Sequence, residues 1–335
     1  MQSIQDRLMA DVVALTANGG RNVGTSGHDR ARDYIATRLT EIGATQYSGD
    51  SFLHPYGSKG SDFANIIGTI PGTNPAKAPL LLGAHFDTCG DIPGADDNAA
   101  AVAILLAVAE SLQKTVHDRS VVLAFFDAEE PPYFLSSSMG SIRFYEDQRT
   151  GPVHAAIILD LVGHDVPVEG LENLLFITGA ESDHGLEMAV RHSEPESELR
   201  TVPTLNSYVG DLSDHHIFRE NKRPYLLLTC GRWEHYHMPT DTPEKLSMGK
   251  IEAVANYVVT LTEFLSPPSL NGPSRRDGPS SGDGPSSGNE TLDTEIYFLE
   301  KNIMPTLRSL GISLPLNSRT DIDRLVTLLM SQFNL

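Results

Sequence analysis

Basic residues are scarce in this 335-residue chain: 25 Lys plus Arg stand against 44 Asp plus Glu, a formal net charge of −19. A surface so acidic repels phosphate backbones, which excludes nucleic acid and anionic membranes as partners. Cysteine is scarcer still. Cys89 and Cys230 are the whole complement, too few for a disulfide framework, and two reduced thiols are a simpler expectation than one bridge. The most apolar segment, Ala99–Leu112, is too short to span a bilayer and reads as a buried helix. The N-terminus carries Asp6 and Asp11 inside its apolar stretch and lacks the basic start of a secretory signal, so a cytoplasmic location is expected. There is also no HExxH, no P-loop, and no GxSxG elbow or GxGxxG following a strand. Gluzincin, serine hydrolase, kinase and Rossmann dehydrogenase readings thereby lose their usual support.

What is present is ordinary globular material, 40% hydrophobic and 21% charged. From Pro267 to Asn289, Pro, Gly and Ser supply 16 of 23 residues, with DGPSSG written twice in tandem. Such a stretch has nothing to bury and reads as a linker. It separates a main unit, residues 1–266, from a C-terminal segment, residues 290–335. In the main unit, helical patterns at Ile4–Leu15, Arg30–Ile42, Asn98–Gln113 and Lys250–Leu265 mix with apolar runs at Ala64–Ile70, Pro79–Ala84, Ser120–Phe126, Ala155–Leu159, Leu174–Ile177 and Pro224–Thr229. Continuous apolar strands between helices predict an α/β sandwich around a mostly parallel mixed sheet. The C-terminal segment shows two amphipathic helical patterns, one around Ile296–Leu310, which Pro305 should interrupt, and one around Ile322–Phe333, which Ser318 should start. A unit so short rarely folds alone, so it is expected to dock on its own domain, a second copy of the chain or a partner.

Ligands of open parallel sheets bind beyond the carboxyl ends of the strands. Here PLLLGA ends in His85 and Asp87, SVVLAFF in Asp127, Glu129 and Glu130, AAIIL in Asp160, and PYLLLTC leads to Glu234, His235, Tyr236 and His237. The loop Gly94-Ala-Asp96-Asp97-Asn98 adds two more carboxylates before the buried helix. Alone that loop reads as a helix cap. Together with four strand ends, it reads as part of a metal site. Histidines and carboxylates without a cysteine cluster suit zinc, or manganese or cobalt in its place. One carboxylate beyond a mononuclear set suggests a bridge between two metals.

In order and spacing these motifs resemble the M28 family of zinc aminopeptidases, from about residue 20 to residue 265. The stretches that carry the likeness are His85-Phe-Asp87, Gly94-Ala-Asp-Asp97-Asn98, Asp127-Ala-Glu129-Glu130, Leu159-Asp160-Leu-Val-Gly163 and Tyr236-His237-Met-Pro-Thr-Asp241-Thr-Pro, with Arg21 and Gly24 in the family's opening segment. The resemblance implies two zinc ions, one on His85 and Asp160, the other on Glu130 and His237, with Asp97 between them. It implies that Glu129 is the general base, that Asp87 orients His85, that Asp241 does the same for His237, and that Tyr236 polarises the scissile carbonyl or steadies the oxyanion. Which of Glu129 and Glu130 ligates follows from the family alone. The implied reaction is hydrolysis of the N-terminal peptide bond of a peptide. The alternative is a glutaminyl-peptide cyclotransferase with a single zinc on the same fold.

His235, two residues before His237, is the competing ligand. Asp214 and His215, in a stretch similar to one near the family's substrate pocket, are candidate pocket residues. His28, His54, His117, His154, His164, His184 and His192 read as surface or loop histidines, and Cys89 as lying near the site, buried as a small apolar residue in preference to a metal ligand or a bridge to Cys230. After DAEE the chain departs from the family with Pro131-Pro132-Tyr-Phe-Leu-Ser-Ser-Ser, which leaves the preferred substrate residue open.

Overall fold

The apolar runs Ala64–Ile70 and Ala155–Leu159 become strands with those bounds, and the other four become strands shifted by one residue at one end or, for Pro79–Ala84, at both. The computed structural model describes residues 3–17, 19–57, 63–195, 198–267, 284–285 and 287–333. Nine strands form one sheet: β1 (Thr45–Gln46), β2 (Leu53–Pro55), β3 (Ala64–Ile70), β4 (Leu80–His85), β5 (Val121–Phe126), β6 (Ala155–Leu159), β7 (Leu174–Thr178), β8 (Arg200–Thr204) and β9 (Tyr225–Thr229). Their order is β1-β3-β5-β4-β6-β9-β7-β8, with β2 also on β3. The central strands β5, β4, β6 and β9 are mutually parallel, while β3 joins β5 and β7 joins β9 antiparallel. The mostly parallel mixed sheet is therefore as expected.

Helices α1 (Ile4–Thr16), α2 (Ser26–Ile42) and α3 (Ala100–Leu112) precede β5; α4 (Gly140–Arg143), α5 (His184–His192), α6 (Asn206–Val209), α7 (His216–Glu220) and α8 (Met248–Leu265) follow it. Side chains alternate across each strand, so Leu80, Leu82 and Ala84 join one core and Leu81 the other. The first core takes in α1, α2, α3, α5 and α8. Helix α3, AAVAILLAVAESL, is buried almost all round because it lies between the sheet and α1 and α8. The second core packs Ile67, Val122, Ala124 and Ile158 against Met139, Phe144 and Phe218. Helix α2 starts four residues before the sequence pattern does, because Thr25 caps it by accepting the His28 N–H at 3.2 Å.

Most of the predicted linker, residues 268–283 and 286, lies outside the described residues. The chain then forms α9 (Gly288–Asn302), α10 (Met304–Ser309) and α11 (Arg319–Phe333). Ser287 and Glu290 cap α9 reciprocally, so this segment begins two residues before 290. Pro305 sits in the first turn of α10, where its missing N–H does no harm, and the first pattern breaks at Ile303. Asn302 donates to Thr201 O on β8 at 2.8 Å, and Thr294 Oγ1 donates to Glu187 on α5 at 2.6 Å. Among the described residues no helix is long and apolar enough to cross a membrane.

Candidate metal centre

Strands β4, β5 and β6 run in register, so His85 stands level with Phe126 and close to the end of β6. The residues that follow these strands therefore emerge at one edge. Ala128 and Leu161 adopt φ of 55° and 54°, turning the chain just before Glu129 and just after Asp160. Non-glycine residues take up this left-handed conformation infrequently, and such positions cluster at functional sites. His237 is a third, at φ 56°.

Asp97 lies between two histidines: its Oδ1 is 3.2 Å from His85 Nε2 and its Oδ2 is 3.2 Å from His237 Nε2. On the first side Asp160 Oδ1 is 3.6 Å from His85 Nε2. On the second, Glu130 Oε2 is 3.1 Å from His237 Nε2. Glu129 Oε2 stands 3.9 Å from His85 Nε2. All these groups except His237 are largely buried. His85 Nε2, Asp160 Oδ1, Glu130 Oε1 and His237 Nε2 have no hydrogen-bond partner. Buried polar atoms are normally paired, so an orphaned set of imidazole nitrogens and carboxylate oxygens fits bound cations of the zinc type.

The electrostatics agree. Burial alone would push the His85 imidazole down, but Glu129, Asp160, Asp87 and Asp97 raise it well above its ordinary value. His237 is likewise lifted to about 9 by Asp97 and Glu130 against the pull of burial. Burial and Asp97 push Glu130 to about 8, and burial, with Asp160, Asp214 and Glu130, holds Glu129 well above the carboxylate range. Asp97 is held low by the two histidines although burial opposes it. A cluster that gathers protons in this way would exchange them readily for metal cations.

A surrounding shell fixes the candidate ligands. Asp87 accepts the N–H groups of Glu129 and Glu130 at 3.1 and 3.0 Å, and its Oδ1 is 3.4 Å from His85 Nδ1. Asp241 does not reach for His237, as the resemblance implied. Its two oxygens accept the N–H groups of Asp96 and Asp97 at 2.9 and 3.1 Å, which pins the loop carrying Asp97. Arg21 is buried, and its guanidinium donates to Phe86 O, Pro93 O and Gly94 O at 2.7, 2.5 and 2.8 Å. Gly94 is required there: at φ 58°, a Cβ would stand 2.3 Å from Asp97 O.

The histidines are a correction. His28, His117 and His164 are buried. His28 Nε2 lies 2.7 Å from Asp127 Oδ1 and its ring stacks on Phe86, next to His85. His164 Nδ1 lies 2.7 Å from Asp96 Oδ2, with Trp233 stacked on it. His235 pairs with Thr240 Oγ1 at 2.9 Å and packs edge-on to Trp233, so His237 is the histidine facing Asp97 and Glu130. Cys89 and Cys230 are both free.

A cavity of ≈ 360 Å³ opens over the cluster. Asp97, Glu129, Glu130, Asp160, Tyr236 and His237 form its polar floor, and Phe134, Val209, Leu212 and Leu227 an apolar wall. Tyr236 stacks on His237 with ring centroids 3.8 Å apart, under the Arg232 guanidinium. Asp214 and His215 are fully buried and line none of it; their neighbour Ser213 does. Burial lifts the Asp214 carboxyl to about 7 and depresses His215 to about 4. Phe134 lies in the stretch after DAEE singled out in the sequence, whereas Arg232, Val209, Leu212 and Leu227 went unremarked there, since nothing marks residues so far apart as sharing a cavity.

The model of "Peptidase family M28" matches residues 65–262. Over 264 residues the chain is 28% identical to the uncharacterized protein YfbL of Escherichia coli, covering 70% of this chain and 79% of that one. It spans less than a third of some other curated relatives, among them a vacuolar membrane protease and a putative endoplasmic reticulum metallopeptidase. Two solved structures superpose on 77% of this chain and 97% of their own: a zinc-dependent exopeptidase from Parabacteroides distasonis (TM-score 0.62, 20% identity) and a glutaminyl cyclase from Tannerella forsythia (TM-score 0.61, 22% identity). At these identities the likeness concerns the fold.

Proposed function

The chain belongs to peptidase family M28, and from that premise we propose that it is a zinc-dependent aminopeptidase releasing the N-terminal residue of peptides. The observation that carries the reading is Asp97, whose two oxygens face two different histidines, each accompanied by its own carboxylate. That is a donor set for two ions. Zinc held by His85 and Asp160 on one side, by Glu130 and His237 on the other, and shared through Asp97, would supply Lewis-acid polarisation of the scissile carbonyl.

The remaining steps fall to side chains. Carboxylates on the cavity floor attract a protonated N-terminus. The wall of Phe134, Val209, Leu212 and Leu227 favours an apolar side chain on that residue. Glu129 belongs to neither ligand pair. Burial raises its proton affinity, which suits a group that takes a proton from the attacking water and hands it to the leaving amine. Burial also raises the Tyr236 phenol, followed by Asp97 and Glu130, so it remains protonated and can donate to the oxyanion. Residues 1–266 carry this chemistry.

Metal analysis with a paired substrate panel tests the reading. Two zinc per chain with hydrolysis of leucine anilide is expected. One zinc with conversion of N-terminal glutamine to a pyroglutamyl product would replace it by the cyclotransferase reading.

A further inference from the structure

Cys89 lies four residues past His85, on the loop that leaves β4. That loop is fixed from both sides: the Arg21 N–H donates to Thr88 Oγ1 at 2.7 Å, the Arg21 guanidinium holds Phe86 O, and Gly90 N–H donates to Thr88 O at 2.8 Å. The thiol so placed shares a neighbourhood with two proposed ligands, since one donor atom each from Cys89, Glu130 and His237 lie within 4.8 Å of one another. Glu130 is 3% exposed, its Oε2 faces His237, and its Oε1 has no partner. Cys89 is not among the residues lining the cavity, and neither is His85. His85 is buried and Cys89 half-buried, so neither takes up the cavity side.

We propose that Cys89 is a further ligand to the ion held by Glu130 and His237. This rests on the two-ion reading above. Donors on one zinc stand roughly 3.3–3.8 Å apart, given bonds of about 2.0–2.3 Å. The thiol thus has at most about 1.5 Å to close, the reach of one side-chain torsion. On coordination the S–H bond gives way to a sulfur–metal bond, and the proton leaves to solvent. Cys89, Glu130, His237 and Asp97 then make four protein donors, a closed set, whereas His85, Asp160 and Asp97 make three and keep a position open. A thiolate also biases its half toward zinc or cobalt over manganese or magnesium.

Cobalt reports on sulfur directly. Metal-free full-length protein is titrated with cobalt(II), and the near-ultraviolet band of sulfur-to-cobalt charge transfer is recorded alongside metal stoichiometry and leucine-anilide hydrolysis. The band is expected in the wild type and in Cys230→Ser, and is expected to vanish in Cys89→Ser and Cys89→Ala. Both Cys89 variants should bind the second ion at least roughly 10–100-fold more weakly, the range for losing even an outer-shell partner. Two bound cobalt ions and active enzyme without the band would overturn the proposal and leave the aminopeptidase reading standing. A band lost in Cys89→Ser from a protein that hydrolyses no peptide would do the reverse. A band that survives both Cys89 variants would also overturn it.

Discussion

Asp87 accepts the backbone N–H of Glu129 at 3.1 Å, so the side chain that stands behind His85 also sets the position of the proposed general base. Its second oxygen takes the Glu130 N–H, and one acidic residue thereby ties the end of β4 to the turn after β5. Asp87→Ala strands two buried donors, each costing about 1–3 kcal/mol. A combined loss of about 2–6 kcal/mol in urea denaturation of the metal-free protein is expected, with metal affinity down roughly 10–100-fold. Asp87→Asn keeps one acceptor oxygen and should recover about half of the stability. An alanine variant with wild-type denaturation would refute the role given to Asp87.

Glu129 stands 3.9 Å from His85 Nε2 and belongs to neither of the proposed ligand pairs. Replacing it by glutamine keeps its volume and removes its basicity. Glu129→Gln should retain two zinc while turnover falls about 10²–10⁴-fold, the contribution typical of a positioned general base. Metal analysis and kcat measured on one preparation decide it; unchanged turnover would return the carboxylate to a structural role.

Arg21 holds three carbonyls of the loops flanking Asp97 and His85. Its burial and fork geometry make lysine a poor substitute, because an ammonium cannot reach Phe86 O, Pro93 O and Gly94 O together. Arg21→Lys should cost about 2–3 kcal/mol, from carbonyls left unpaired in a buried site. The loss should appear in chemical denaturation and be larger than that of any exposed arginine.

In metal-free protein the folded state holds extra protons near neutral pH. Glu130 is raised from 4.5 to about 8, Asp214 and Asp241 from 3.8 to about 7, each chiefly by burial, and His237 from 6.5 to about 9 by its carboxylate neighbours against burial. Above pH 6.5 every one of these groups binds more protons folded than unfolded, so stability falls as pH rises through their folded values. Between about pH 7 and 9 the melting temperature of chelator-treated protein should drop steadily. Zinc-loaded protein should melt higher and change less, since bound metal takes the place of those protons. A flat profile without metal would contradict the charge balance assigned to the cluster.

Much of this was legible beforehand. The central strands read as unbroken apolar runs because both faces of the sheet are covered, and their ends carry acids and histidines that composition alone makes conspicuous. Strands β1, β2 and β8 were not legible: TQ and LHP are too short to show a pattern, and RTVPT carries a charge and a proline. The helix expected from Asn98 begins instead at Ala100, after a π-type turn over Ala95–Ala99. His28 and His164 read as surface or loop residues because their partners, Asp127 and Asp96, lie 99 and 68 positions away; His164 does lie in a loop, but both are buried. Pairings over such distances leave no local periodicity.

The C-terminal segment brings a last prediction. Leu299, Ile303, Met304, Leu307, Ile322 and Leu325 are buried in the same apolar cluster as the central strands β4, β5 and β6. A segment of about 46 residues has too little area for a core of its own, so it is expected to draw its stability from the elements beside it, with α9 along the edge strand β8. If that cluster is one cooperative unit, damage to the segment must register in the unfolding of the whole chain. Ile303→Ala, at a fully buried position, should cost about 2–4 kcal/mol. It should do so in a single transition seen identically by far-ultraviolet circular dichroism and by the fluorescence of Trp233, the lone tryptophan, which stacks on His164 beside the site. Two transitions, with Trp233 reporting only the later one at its wild-type midpoint, would mean that the segment folds on the surface without supporting the core beneath it.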